Sequence, residues 1–522
     1  MKTIYLKESN LWGRVLLWGK EHWWQIVVPG LFFVWMYLFY PFRNIFMMDP
    51  DEGINLVKAQ MLLRGFSLYV DIWNDQPPLF TYFLAGLFRI FGLRVNLARV
   101  FILLLACGLF YLYLNYLYVV WGKLHSLVGI VLLIGLPNFT YLSVSVMIGL
   151  PSITFAMLSL VALVYWHKRR RYHWLILSAV GLGFSILIKL FTGFLAPIFL
   201  LGILVDEFTR YLGTKNWRKV LFPGILWGTI LTFVVVVPIL LLVHPENLGQ
   251  LLESHISGSQ VDIFKNDPTL SLSYHLINAR VILFIAILGI FEAFLKRQWL
   301  ALYPVAWMLT AFALLYNHTP VWYHQQLLIT IPAAILASGA VGNAFHRIKE
   351  IYIAKGGIER WDIVRLFTLV GFVFVLVTRV PETISAFNPT PSFRTPPFRE
   401  ASTEVAILSK IREYSAETKW FVTDLPIYVF YSDLSTPPNL VVFSSKRVKS
   451  GNLSEEEILR TIKKLEPEQI LFGRNRFPLV QQYLDENYQV MFVRDPIYLY
   501  LKNEIAPDPN ETSILENKYG NK

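Results

Sequence analysis

Charge is scarce in this chain. Only 16% of its 522 residues are Asp, Glu, Lys or Arg, where soluble chains carry about 25%. Cysteine is nearly absent too: Cys107 stands alone inside an apolar block. That excludes an intrachain disulfide, a zinc cluster and a Cys-pair redox site. A cleavable leader is not evident, because the first apolar block, from Trp23 to about Phe42, is too long for a signal core and lacks a small-residue cleavage site.

What replaces charge is apolar and aromatic. Hydrophobic residues make up 55% of the chain, aromatics 16%, and the mean hydropathy is +0.47. A large soluble enzyme would carry its apolar residues in short, patterned runs. Here they come in blocks near the ~20 residues that span a hydrocarbon core, with rings suited to the two membrane–water interfaces. The net charge of +11 resembles a nucleic-acid signal until its residues are located. Many sit in short segments between apolar blocks, as do Lys168, Arg169, Arg170 and Arg171. This pattern reports which loops stay inside, and no nucleic-acid partner is implied.

The basic residues order the topology. Lys2, Lys7, Arg14 and Lys20 place the segment before Trp23 in the cytoplasm, so the first span delivers Arg43 to the outside. Leu79–Phe91 is apolar but short and contains Arg89. Counting it as a span would export the Lys168–Arg171 cluster, so it is predicted to lie at the outer surface. Further spans are predicted at about 98–121, 125–146, 150–166, 173–188, 191–206, 220–243, 276–295, 299–316, 325–345 and 363–383, with 173–206 read as two short helices or one bent one. With the first, these make roughly eleven helices and leave the C-terminal part outside.

From about Pro389 the composition changes. Residues 388–397, Asn-Pro-Thr-Pro-Ser-Phe-Arg-Thr-Pro-Pro, read as an extended linker. Beyond it strands are predicted at Trp420–Thr423, Leu440–Phe443, Gln469–Phe472 and Gln489–Val493, and helices at Glu404–Tyr414, Glu455–Leu465 and Leu479–Glu486. Ser454 and Glu457 form a capping box before the second helix. The expected architecture is a polytopic α-helical membrane domain over 1–388 and a small extracytoplasmic α/β domain over 389–522. The latter shows no glycine-rich phosphate loop or nucleophile elbow and reads as accessory.

Ionisable groups at an apolar boundary are costly and therefore mark candidate sites. The first outer loop, 43–97, opens with Met-Met-Asp-Pro-Asp-Glu-Gly (47–53). Asp49, Asp51 and Glu52 have the chemistry to bind a metal or act as a general base. They also suit a solvated helix start, where acids offset the macrodipole. An amphipathic helix, Ile54–Arg64, follows, and then Asp75-Gln-Pro-Pro-Leu-Phe-Thr-Tyr (75–82), whose prolines force an extended turn.

Asp51-Glu52 after a first span, a helix ending Leu-Leu-Arg-Gly, Gln-Pro-Pro-Leu-Phe-Thr-Tyr, and Ile-Phe-Gly with Arg99 soon after resemble a known family. They are similar to the GT-C glycosyltransferases of the protein O-mannosyltransferase and aminoarabinose transferase type. Ile-Lys-Leu-Phe-Thr-Gly (188–193) and Trp-Tyr-His-Gln-Gln-Leu-Leu-Ile-Thr-Ile-Pro (322–332) resemble that family's lysine-bearing helix and His/Tyr segment, so the resemblance runs over about residues 20–345. It implies transfer of a sugar from a polyprenyl-phosphate donor to a lipid, glycan or protein hydroxyl at the outer face, with inversion. It also implies Asp51 as catalytic base, Glu52 beside it in the acceptor site, and Lys189 on the donor phosphate. Arg99, Tyr323 and His324 are implied as further substrate contacts. Gln76 stands where relatives often carry lysine before Pro-Pro, so one phosphate contact is missing or supplied elsewhere. Gly149 stands where many members carry an acid before Leu-Pro, which weakens a two-carboxylate site or a carboxylate-bound metal. No cofactor is implied with certainty; a divalent metal is compatible with the acids but nothing indicates one.

Each cation has a plainer reading as an interfacial anchor: Lys189 and Arg99 by snorkelling, His324 among aromatics. A transporter or flippase of lipid-linked substrates is the competing class. It predicts charges near mid-membrane and broken helices in two similar halves, whereas no internal repeat is evident and the charges gather at one face. A catalytically silent member whose C-terminal domain binds a partner stays open.

Overall fold

The computed structural model describes residues 11–212, 217–251, 264, 266–354, 360–385, 401–473, 475 and 477–507. The expected linker at 388–397 lies outside them. The membrane domain comprises α1 (Leu11–Phe39), α2 (Pro50–Leu63), α3 (Leu79–Phe91), α4 (Val95–Val120), α5 (Lys123–Ile134), α6 (Gly149–Arg169) and α7 (Tyr172–Ile188). It continues with α8 (Leu195–Arg210), α9 (Trp217–Leu242), α10 (Arg280–Leu295), α11 (Leu302–Tyr316), α12 (Leu327–Ala354) and α13 (Arg360–Phe374).

Among the described residues, nine helical stretches are long and apolar enough to cross a membrane. Shorter apolar helices are Leu79–Phe91, Lys123–Ile134 and Tyr172–Ile188. The last two overlap predicted spans but are shorter than a crossing requires, so nine of the eleven predicted spans correspond to helices of crossing length among the described residues. The span predicted over 125–146 is interrupted: α5 stops at Ile134, Asn138 takes a left-handed conformation, and a helical turn resumes at Phe139–Leu142. Gly135 and Pro137 supply the break, since proline has no N–H to continue the ladder. The 173–206 stretch is two helices. α7 ends where Lys189 turns extended, at φ −147° and ψ 114°, before a 3-10 turn at Leu190–Phe194. α3, with 13 residues, rises only about 20 Å, short of a ~30 Å core.

One continuous apolar core runs through these helices and on into the C-terminal domain, taking in Ile407, Ile427, Val429 and Phe430. A separate small core, with Val422, Ile458, Ile470 and Val480, holds the rest of that domain. Its elements are α14 (Ala401–Glu413), β1 (Phe421–Thr423), α15 (Ile427–Ser432), α16 (Ser445–Lys449), α17 (Glu455–Leu465), β2 (Gln469–Phe472), α18 (Pro478–Asn487), β3 (Tyr488–Arg494) and β4 (Ile497–Lys502). The sheet order is β1-β2-β4-β3, with β1 parallel to β2 and the other pairs antiparallel.

Several details of the C-terminal prediction change, the short helix α16 among them. The Leu440–Phe443 strand is absent: Pro438–Leu440 form a 3-10 turn, and the Arg447 guanidinium takes the carbonyls of Asn439 and Val442 that a ladder would have used. β4, unpredicted, sits between β2 and β3. α15 was also not anticipated, and it alters α2. Far from an amphipathic surface helix, α2 is buried from Glu52 through Met61, because α15 covers one side while α3 covers another. Gly53 makes that approach possible: a Cβ there would fall 2.5 Å from the backbone nitrogen of Ile427.

Candidate functional site

The first turn of α2 is built by its own acids. Asp49 is the N-cap, and its Oδ1 accepts the Asp51 N–H at 2.8 Å. Pro50 occupies N1, where its missing N–H costs nothing. Three residues after the cap, Glu52 reaches back to accept the Met48 N–H at 2.8 Å, a close variant of the capping box. Asp49 and Glu52 therefore do serve the helix start and hold its turn, but both are buried rather than solvated.

Glu52 and Arg99 form the most enclosed ion pair here, with both side chains 0% exposed. Arg99 Nε donates to Oε1 at 2.8 Å and Nη2 to Oε2 at 2.7 Å. The remaining donors take the carbonyls of Phe42 and Ile45 at 2.6 Å and of Phe46 at 3.3 Å. Arg99 thus fastens the loop between the first span and α2 onto α4. Sealed in this way, neither Glu52 nor Arg99 presents a free polar atom to a substrate; both act through the loop they fix.

Asp51, one position before Glu52, is exposed. Its charge reaches Lys189 and Lys58. Lys189 is 5% exposed, and the helix break after α7 aims it at this turn. Burial, with Lys446 adding to it, depresses its ammonium to about 8, while Asp51 opposes the shift. Lys58, 3% exposed, donates to Asn74 Oδ1 at 3.1 Å, and burial lowers its pKa as well. Sequence reasoning passed over Lys58, although it follows Asp51 by seven residues, two helical turns on the same face.

Asp49 lies deeper, 8% exposed, and accepts the Tyr323 hydroxyl at 2.6 Å on Oδ2. Burial, then the Asp51 charge, raises its carboxyl to about 7, against the lowering effect of the Tyr323 bond. Tyr141 donates to the Met48 carbonyl and closes the same wall. His324, next to Tyr323, is half-buried, and its enclosed Nδ1 lacks a hydrogen-bond partner. A Cβ on Gly149 would sit 3.8 Å from the His324 ring and 3.9 Å from Lys189 Nζ, so Gly149 leaves a gap between the two. Gln76 contributes its carbonyl, which accepts from Tyr69 and Asn74 at 2.7 Å each and sets the turn before Pro77. Asp51, Lys189, His324 and Tyr323 are therefore gathered on one side, Glu52 and Arg99 are locked on the other, and Gln76 shapes the rim.

Below the rim, an apolar groove of about 300 Å³ is lined by Leu79, Tyr82, Phe184, Leu187, Val234 and Pro238 among others. Leu79 lies three residues past Gln76 and Leu187 two before Lys189, so the groove leads up to the charged cluster. The C-terminal domain packs against α2 and the loop before it. Arg64 pairs with Asp433 at 2.8 Å, Gln60 donates to Asp433 at 2.9 Å, and Phe46 stacks on Tyr431 at 4.6 Å. Among the described residues, no group of three or more His, Cys, Asp or Glu side chains is placed to hold a metal ion.

Residues 75–241 match the family model described as dolichyl-phosphate-mannose-protein mannosyltransferase. No curated protein matches the sequence. Solved structures do match in fold. ArnT from Cupriavidus metallidurans in the apo state has a TM-score of 0.60 at 14% identity, covering 96% of this chain and 100% of that one. The same protein bound to undecaprenyl phosphate gives 0.57 at 13%, with the same coverage. Archaeal oligosaccharyltransferase AglB from Archaeoglobus fulgidus, in complex with an inhibitory peptide and a dolichol-phosphate, gives 0.56 at 11%, covering 94% and 76%. At such identities the likeness establishes the fold.

Proposed function

We propose that the chain is a membrane glycosyltransferase of the GT-C O-mannosyltransferase and ArnT type, moving a sugar from a polyprenyl-phosphate donor to an acceptor hydroxyl at the extracytoplasmic face. The family-model match over 75–241 and the shared fold support this class. The observation that carries this reading is the juxtaposition of an exposed carboxylate, Asp51, with a buried ammonium, Lys189, above an apolar groove. A polyprenyl chain suits the groove, and its phosphate then arrives beside Lys189. The solved ArnT complex with undecaprenyl phosphate supports that class of donor.

The chemistry follows from the parts. Asp51 accepts the proton of the acceptor hydroxyl as its oxygen attacks the anomeric carbon. The bond from that carbon to the phosphate oxygen breaks with its electron pair, and attack from the opposite face inverts the centre. Charge grows on the departing phosphate, where Lys189 stabilises it in a water-poor place. His324 and Tyr323 line the same side and contact the sugar or phosphate. Glu52 and Arg99 hold the base-bearing turn in register, and Gln76 shapes the turn above the groove. The acceptor class stays open between lipid, glycan and protein. A transporter reading predicts charges near mid-membrane, whereas the candidate site gathers Asp51, Lys58 and Lys189 at one rim.

The test is a transfer assay with radiolabelled polyprenyl-phosphate sugars, membranes holding this protein, and a panel of acceptors. Transfer by the native chain and its loss in Asp51→Asn is the expected result; movement of labelled lipid across the bilayer without transfer would replace the reading by the flippase. The same reading puts the segment before α1 in the cytoplasm and residues 389–522 outside. Protease added to right-side-out vesicles should then remove that domain, and its protection would reverse the topology.

A further inference from the structure

The C-terminal domain plants one short basic helix, α16, on the rim of the site, and its three cations go different ways. Arg447, 4% exposed, lies over the Trp73 ring at 4.4 Å and takes the carbonyls of Asn439 and Val442. That fastens α16 to the loop that leads into Gln76. Lys449 lies over Phe264 at 5.7 Å. Lys446 points at the site itself: its Nζ is 4.0 Å from Asp75 Oδ2, with the two side chains 22% and 16% exposed. Ser444 caps the helix by accepting the Arg447 N–H.

We propose that the C-terminal domain supplies, through Lys446, a second cation for the donor phosphate, facing Lys189 across the rim. This rests on the polyprenyl-phosphate reading above. Lys189 and Lys446 come from different domains, and the Lys446 charge reaches Lys189, while Lys446 itself stands over Asp75 at the turn that leads into the groove. Two converging ammonium groups are relieved by an anion between them, and the groove below delivers a phosphate to that place. Asp75 is a loose counter-charge in the meantime, since 4.0 Å exceeds hydrogen-bond range and Lys446 can leave it without breaking a bond. The base-bearing helix is braced against the same domain through Gly53 and Ile427 and through Arg64 and Asp433. A cation on α16 is therefore fixed relative to Asp51, and charge developing on the leaving phosphate meets two lysines rather than one.

The experiment measures binding of undecaprenyl phosphate, and of undecaprenol as the phosphate-free control, to the purified full-length protein in detergent. Lys446→Ala should weaken undecaprenyl phosphate binding about tenfold, leave undecaprenol binding unchanged and keep the native thermal midpoint. Lys446→Arg should restore phosphate binding to within about threefold, because the charge returns. Unchanged phosphate binding in Lys446→Ala overturns the inference while the donor reading stands. Equal losses for phosphate and alcohol also overturn it, as a structural defect. A native protein that does not prefer the phosphate over the alcohol overturns the donor reading, and this inference with it.

Discussion

Asp51 and Glu52 are neighbours on one helix, yet their surroundings have little in common. Successive residues of an α-helix point about 100° apart, which is enough here to turn one carboxylate inward and the other out. Glu52 is fully enclosed with the Arg99 guanidinium; Asp51 stands exposed beside the field of Lys189. A carboxylate that already receives two guanidinium bonds and a backbone N–H has little capacity left for an acceptor hydroxyl. The carboxylate on the exposed side is not sealed in this way. The pair matched as a unit in the sequence thus divides: one acid holds the turn, and the other is the one proposed above to meet the substrate.

The sharpest way to break that division is Asp51→Asn. The amide keeps shape and hydrogen bonding but takes no proton, so transfer should fall by roughly 10²–10⁴ while folding and donor binding stay native. Near-normal turnover in a purified, folded variant would remove Asp51 from the mechanism.

On the other side, Glu52→Gln should damage the fold first. It leaves Arg99 charged and sealed, and breaking a buried pair by losing one partner costs about 3–5 kcal/mol. The expected outcome is a lowered thermal midpoint in detergent, with activity lost in step with folded protein. A stable Glu52→Gln protein that binds donor but does not transfer would instead give Glu52 a direct chemical role and erase the contrast with Asp51.

Lys189→Ala should have an intermediate effect, confined to the donor. A charge-assisted contact to phosphate contributes about 1.5–3 kcal/mol, read as a raised donor requirement and slower transfer. The pH dependence has a definite sign. With its pKa lowered to about 8, the free protein carries the ammonium below that value, so donor binding should weaken as pH rises through about 8. Lys189→Arg, charged throughout, should lose that limb. The same depression makes the group destabilising when protonated: between about 8 and its ordinary value near 10.4 the unfolded chain binds more protons, so stability rises with pH across that window.

Much of the membrane domain was legible in the sequence because the bilayer demands it: an apolar run of span length has few alternatives. Asp51 and Lys189 were legible as charges at an apolar boundary. Lys58 was hidden in a helix read as amphipathic, because nothing local shows that α15, some 370 residues later, covers its outer face. The same distance concealed Lys446. The Leu440–Phe443 strand failed for a different reason, since β-branched and aromatic residues fit a strand but Arg447 claimed the carbonyls. A capping pattern such as Ser454 with Glu457 is local, and there the expected helix appears with Ser454 accepting the Glu457 N–H.

The smallest effect should come from Asp49, and it tests whether the contrast between Asp51 and Glu52 extends to a third acid. Asp49 is buried like Glu52, but it faces Tyr323 instead of a cation. Its carboxyl, raised to about 7 from an ordinary value near 3.9, is proton-rich in the folded state. Between those values the folded chain holds more protons than the unfolded one, so this group's stabilisation is complete at low pH and fades as pH rises to about 7. Asp49→Asn mimics the protonated form and retains an oxygen to cap α2, asparagine being as good an N-cap as aspartate. Transfer should therefore fall by less than about tenfold, and the decline of stability between pH 4 and 7 should flatten. The measurement is thermal midpoint against pH for both proteins, beside transfer rates. A loss of transfer as large as that of Asp51→Asn, with the stability profile flattened as expected, would move the general base from the exposed acid to the buried one, where a carboxyl titrating near 7 and bonded to a tyrosine is also equipped to take a proton.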